Sequence, residues 1–279
     1  MILLTLLCII ATVSSKCSNE DPPRVPKYHL MEKCHRSNLA VIYRANFSSL
    51  ISCQRLGIEK KGLALNFSPP EALKDIKKGD EPLEYTCEVL KCAEADGGLS
   101  LVNDTRYDYY SIYAKHLPDI NSTCIPGLGM FFLLADRLNY TSAAQECRNR
   151  SGRLGDVMSE ARTEALAQLL VGAGMEAAFV DGKSDNGSEF YNVNGDTLDC
   201  TTYRAWAPGH PKRSSEMYGC IALTRSKTWI AVPCQTKLPS ICELNPSGPY
   251  RRCGKIFASR RIKDTAQDRN ITSTARGDK

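Results

Sequence analysis

Trp206-Ala207-Pro208-Gly209-His210-Pro211, followed by Cys220, Trp229, Cys234 and the closing Ile241-Cys242-Glu243, is the stretch on which the fold turns. Tryptophan occurs at only these two of 279 positions, each in a Pro- or Cys-bounded segment with apolar neighbours. That suits a loop-rich core closed by disulfides and argues against a long apolar helix bundle. Upstream, Met130-Phe-Phe-Leu-Leu-Ala135 has strand length and composition. A helix follows, for which Thr141 and Ser142 supply the N-cap oxygen and Gln145 completes a capping-box pattern, with Cys147 facing inward. A second helix is expected from about Ser159 to Leu170, with Ala161, Ala165, Leu166 and Leu169 on its inner face and Gly172 as its stop. Beyond it, short strands are expected at Ala178-Phe-Val-Asp-Gly, Phe190-Tyr-Asn-Val-Asn-Gly, Gly219-Cys-Ile-Ala-Leu, Trp229-Ile-Ala-Val-Pro-Cys and Pro239-Ser-Ile-Cys-Glu, separated by Gly, Asn and Asp turns.

On Cys147, Phe179-Val-Asp-Gly, Trp206-Ala-Pro-Gly-His-Pro, Cys220, Trp229 five residues before Cys234, and Ile241-Cys242-Glu243, the run from Gly127 to Glu243 resembles the C-type lectin-like domain over nearly its whole length. The resemblance implies an α+β fold of two helices, short-stranded sheets and a long loop region. It also implies two bridges, Cys147 with Cys242 and Cys220 with Cys234. In sugar-binding members, calcium ligands flank a proline in Glu-Pro-Asn or Gln-Pro-Asp and follow the tryptophan in Trp-Asn-Asp. Calcium takes six to eight oxygen ligands. Here those places hold His210-Pro211-Lys212 and Trp229-Ile230-Ala231. An imidazole suits a hard cation poorly, the Lys212 ammonium repels one, and Ile230 and Ala231 bring no side-chain oxygen. No calcium or other cofactor is therefore expected. The candidate ligand-binding residues are His210, Lys212, Glu216, Tyr218 and Trp229. His210 and Lys212 read either as a solvated loop or as contacts for an anionic glycan or acidic partner.

At the chain's start, Met1 to Ser15 has an apolar core from Ile2 to Val13, with Val13 and Ser15 at the minus-three and minus-one positions of a secretory cleavage site. About a dozen apolar residues fall short of the roughly 20 a membrane span requires. Removing this leader takes Cys8 with it and leaves an even twelve of the 13 cysteines. Disulfides are then the expectation in a secreted, extracellular chain, and zinc or free catalytic thiols are not.

Residues 16–116 form a second expected unit. Ser48 or Ser49 caps a helix through Leu50, Cys53 and Leu56, followed by a half-buried strand in which Leu63, Leu65 and Phe67 alternate with Ala64, Asn66 and Ser68. A Pro-, Lys- and acid-rich connector spans 69–82. Strand-like Tyr85-Thr-Cys-Glu-Val-Leu-Lys-Cys and Tyr107-Asp-Tyr-Tyr-Ser-Ile-Tyr follow. This order resembles a small PAN or apple α+β domain. The resemblance implies a Cys53–Cys87 bridge and lacks a second bridge, whose places fall at Gly57 and about Gly62. Cys34 is expected to join Cys92 or Cys124; Cys17, Cys200 and Cys253 receive no partner. The tyrosines of 107–113 read as strand packing in preference to a binding surface.

Residues 117–129 read as a linker, 130–245 as the lectin-like domain and 246–279 as a basic, disordered tail. That tail holds nine Lys or Arg against three Asp, so the net charge of +5 is a property of the tail. A solvated tail is one reading, and binding to anionic polysaccharide is another. Nucleic acid is not an expected partner. Glycan acceptors are expected at Asn46, Asn103, Asn121, Asn139, Asn186 and Asn270; Asn66 sits in a strand, and Asn149 lies on a helix. No hydrolase, zinc-protease or phosphate-loop motif occurs, and the four histidines are scattered, so the chain reads as non-enzymatic. The function expected is secreted recognition or adhesion, directed at an extracellular protein or a glycan. The alternatives are a matrix component cross-bridging polyanions through its tail and a calcium lectin with ligands drawn from Glu216, Asp181 or Asp185.

Overall fold

The computed structural model describes residues 26–72, 84–95, 98–185, 187, 189–198, 202–212 and 218–246. The leader, Cys17, Cys200, Cys253, Glu216, Asn186, Asn270 and nearly the whole basic tail lie outside the described residues. Among the described residues the chain forms two compact units, 27–155 with 239–246, and 156–238.

In the first unit, β1 (His29–Glu32), β3 (Val41–Ala45), β4 (Ala64–Phe67), β5 (Cys87–Leu90) and β7 (Asp108–Ser111) form an antiparallel sheet in the order β1-β7-β4-β5-β3. β2 (His35–Ser37) and β6 (Leu101–Asn103) make a separate ribbon. α1 (Leu50–Glu59) starts where Ser49, in extended backbone, accepts the Ser52 N–H, one of the two caps read from sequence. A Cys53–Cys87 bridge ties the helix to β5. Between helix and sheet lie Tyr28, Leu65, Phe67, Val89 and Tyr110, each apolar side chain contributing about 2 kcal/mol by leaving water.

β4 corrects the expected alternation, because it is buried on both faces. It sits between β7 and β5, and Asn66 on its second face is covered by β2: the Asn66 amide accepts the Ser37 N–H and donates to the Ser37 carbonyl, both at 2.9 Å. The same amide donates to Glu88, which also receives two hydrogen bonds from Arg36 and one from Arg44. Tyr107, Tyr109, Tyr110 and Tyr113 are buried packing side chains. Gly57 and Gly62 also have a physical account. The Tyr28 hydroxyl occupies the space between them, donating to the Gly62 carbonyl at 2.6 Å and standing 2.6 Å from where a Cβ on Gly57 would lie.

Cys34 corrects its expected pairing. Cys92 and Cys124 are bonded to each other, and Cys34, in the exposed turn between β1 and β2, keeps its thiol. The segment 117–129 contains β8 (Thr123–Ile125), which pairs with β9 (Gly129–Leu138); the Met130 N–H donates to the Tyr113 hydroxyl at 2.9 Å. β9 stands beside β14 (Leu238–Leu244), on which β10 (Gly152–Leu154) also pairs. α2 (Tyr140–Asn149) is joined to β14 by Cys147–Cys242, across 95 positions of sequence. Closing a loop of that length contributes about 4–5 kcal/mol by chain entropy. Its cap is Asn139, whose side chain accepts the Ser142 N–H, so neither Thr141 nor Ser142 is the cap.

The second unit holds α3 (Glu160–Gly172), β11 (Ala177–Lys183), β12 (Cys220–Thr224) and β13 (Trp229–Val232), with β12 between the other two strands. Ser159 caps α3. The buried face is Thr163, Leu166, Ala167 and Leu170, rotated from the expected one, and Ala161 is exposed. Gly172 is the last residue of the helix, as expected, and Ala173 caps it. Gly174 beyond the cap has φ +66°, which lets Met175 N–H reach the Leu170 carbonyl and Gly174 N–H reach that of Val171. The expected strand at Phe190–Gly195 is instead a turn held by single bridges of Tyr191 to Lys183 and Thr197, with both Asp181 oxygens accepting the Val193 N–H.

Candidate functional site

The site is built on Trp229, the first residue of β13 and fully buried. Its indole N–H donates to the Thr163 hydroxyl at 3.1 Å, and that hydroxyl donates to the Val157 carbonyl at 3.0 Å. The indole's polar edge is therefore satisfied in the core. Tyr203 and Trp206 meet the Trp229 ring edge-on, with centroids 5.5 and 5.6 Å away, and Phe190 stacks obliquely on Trp206. The backbone follows the rings: Trp229 N–H donates to Ala205, and Ala207 N–H donates to Trp229.

The chain then turns back through His210, whose N–H donates to the Ala207 carbonyl and whose bond to Pro211 is cis. His210 Nδ1 accepts the Ala231 N–H at 3.0 Å. Burial, then the charge of Lys212, holds the His210 pKa below the ordinary histidine value. Lys212 is exposed, with its ammonium 4.6 Å from the Tyr218 ring centroid. The structure thus brings His210, Lys212 and Tyr218 to the loop region around Trp229, while Trp229 itself is core and presents no surface. Cys220–Cys234 closes β12 onto the segment after β13.

Asp181 is buried and turned onto Val193, and Asp185 pairs with Lys183 at 3.1 Å. Among the described residues no three His, Cys, Asp or Glu side chains converge to hold a metal ion. Sequence reasoning missed Thr163 and Ala231, the two partners that orient Trp229 and His210. A threonine on the inner face of a helix was the available signal for the first; a backbone N–H leaves none.

Residues 136–244 match the family model of the lectin C-type domain. Collectin-11 of Danio rerio is 26% identical over 116 residues, covering 42% of this chain and 42% of that protein. Collectin-43 of Bos taurus is 29% identical over 108 residues, 38% of this chain and 33% of its own. The chain thus spans less than half the length of the curated relatives it matches. Human lithostathine aligns at 21% identity with a TM-score of 0.40, over 44% of this chain and 88% of that one. A calcium-independent type II antifreeze protein aligns at 19% with a TM-score of 0.37, over 45% and 96%. By its match to the family model, the segment 136–244 is a C-type lectin-like domain, and its described helices and strands are of the α+β class. Among the described residues no helix is long and apolar enough to cross a membrane. The four disulfides among the described residues belong to an oxidising exterior, and the protein is extracellular and secreted.

Proposed function

We propose that this is a non-enzymatic recognition or adhesion protein whose lectin-like domain binds an extracellular protein or glycan at its long-loop face without calcium. One observation carries the reading. The nitrogen that His210 turns towards β13 is taken up by the Ala231 N–H, and β13 offers only Ile230 and Ala231 where carboxamide and carboxylate oxygens would be needed. Of the alternative ligands Glu216, Asp181 and Asp185, the two aspartates are engaged by Val193 and Lys183, and Glu216 lies outside the described residues. The exposed Lys212 favours a ligand with an acidic or sulfated group.

The domain order proposed with it is a leader at 1–15, a PAN/apple-like unit at 16–116, a connecting segment at 117–129, the lectin-like domain at 130–245 and a basic tail at 246–279. Support for the PAN/apple-like unit comes from the Cys53–Cys87 bridge between helix and strand, and from Tyr28 filling the gap left between Gly57 and Gly62. A glycan array run in calcium and again in chelator tests the function. Signal surviving chelation supports it, and sugar binding lost on chelation makes the chain a calcium lectin with altered ligands. Retention on heparin that disappears when 246–279 is removed, with no other binding, favours the matrix component.

A further inference from the structure

We propose that His210 is a positioning residue: its neutral imidazole holds the 205–212 loop against the free edge of β13, so that acid, and not chelation, releases the loop face. One edge of β13 is paired with β12, from Trp229 opposite Leu223 to Val232 opposite Cys220. The other edge is covered by the loop. Trp229 takes the Ala205 carbonyl at 2.6 Å and gives its own carbonyl to the Ala207 N–H at 2.9 Å, as a parallel strand would. Strand geometry turns every second residue to the same edge, so Ala231 presents its N–H to the loop next. There the loop has already turned, and the acceptor is no carbonyl but His210 Nδ1 at 3.0 Å. Ala231 is buried, so water does not readily replace the imidazole.

A ring nitrogen accepts only when it carries no proton, so the bond requires the neutral ring protonated at Nε2. Adding a proton at Nδ1 sets donor against donor and orphans the Ala231 N–H. Among the described residues the charged group facing the ring is Lys212 of the same loop; the residues of β13 bring no titratable side chain, and Tyr218 lies under Lys212. Burial and Lys212 both favour the neutral ring. The sign follows: with the folded pKa below the unfolded 6.5, the tether is intact above 6.5 and is lost as pH falls through the folded value.

This deepens the calcium-free reading and rests on it for the link to ligand; the tether itself is measured without one. The full secreted chain, labelled with 15N in alanine and histidine, reports the His210 tautomer from its ring nitrogens and the exchange protection of the Ala231 amide between pH 8 and pH 4. The tether predicts an Nε2-protonated ring at neutral pH and a loss of Ala231 protection on the order of tenfold or more as the ring titrates. His210→Asn, which keeps an oxygen near the Nδ1 position, retains protection at every pH, and His210→Phe lacks it at every pH. A proton on Nδ1 at neutral pH, or an unchanged pH profile in His210→Asn, overturns the proposal. Should His210→Phe fail to fold, the tautomer and the His210→Asn profile decide it. Stabilisation by calcium with the Ala231 result intact would refute the calcium-free reading and leave the tether standing.

Discussion

Thr163→Val isolates the bond that seats Trp229, because valine matches threonine in shape and removes only the hydroxyl. Two buried groups lose their partner at once, the indole N–H at 3.1 Å and the Val157 carbonyl at 3.0 Å. Leaving a buried polar group unmade costs about 1–3 kcal/mol, and the added methyl returns somewhat less than 1 kcal/mol. The net loss is about 2–4 kcal/mol. At roughly 2–4 °C per kcal/mol for a chain of this size, the melting temperature falls by on the order of 10 °C. Thr163→Ser keeps the hydroxyl and loses a methyl, costing about 1 kcal/mol. The assay is thermal unfolding of the three proteins with disulfides intact, followed by near-ultraviolet circular dichroism, which reports the packed Trp206 and Trp229 rings. A valine variant that melts with the wild type, or with the serine variant, refutes the account of how the loop region is anchored.

Glu88→Gln should destabilise the first unit by about 2 kcal/mol, less than a fully buried pair because Arg36 and Arg44 are partly exposed and rehydrate. Burial opposes the Glu88 charge, but bonds from Arg36 and Asn66, the Arg36 charge and the Arg44 bond outweigh it and hold its pKa below 4.5. Its contribution is therefore present above pH 4.5 and lost as pH falls through the folded value, and the wild-type advantage in urea unfolding should vanish in acid. Gly57→Ala should cost about 1–3 kcal/mol by driving a Cβ into the Tyr28 hydroxyl, the Tyr28 ring and Leu65, and a Tyr28→Phe background should remove only the hydroxyl's share of that cost; equal costs in both backgrounds would rule out the hydroxyl as the main obstacle. Glycopeptide mass spectrometry should find Asn66 unmodified, since it is fully buried and its amide is committed to Ser37 and Glu88, while the exposed Asn46, Asn103 and Asn121 carry glycan; an occupied Asn66 contradicts the β4 environment.

The sequence was most legible where one residue type carries one physical meaning. Cysteines, tryptophans and the strand-length apolar runs led directly to the lectin-like domain of 136–244. Serine before an amphipathic run marked the starts of α1 and α3. It misled at α2 because Asn139, Thr141 and Ser142 are all capping residues, and the choice among them depends on where β9 delivers the chain. The face of α3 was misread because a threonine counts as polar until its hydroxyl has a buried partner, and Thr163 has two. Burial on both faces of β4 depends on Asn66 meeting Ser37, 29 positions away, and the Cys92–Cys124 bridge depends on the placement of β8. The candidate site was legible in its residue types but not in its bonds: His210 was visible as a poor calcium ligand, while its acceptor role depends on the Ala231 backbone.

The central claim, a lectin-like domain that holds its loop face without calcium, is tested most directly by the thermal melt of the purified secreted protein in millimolar calcium and then in chelator. A ligand bound by the folded state alone must raise its stability, by about 2.7 kcal/mol at a hundred times its dissociation constant. The account predicts superimposable melts. A clear upward shift in calcium, reversed by chelator, would contradict it.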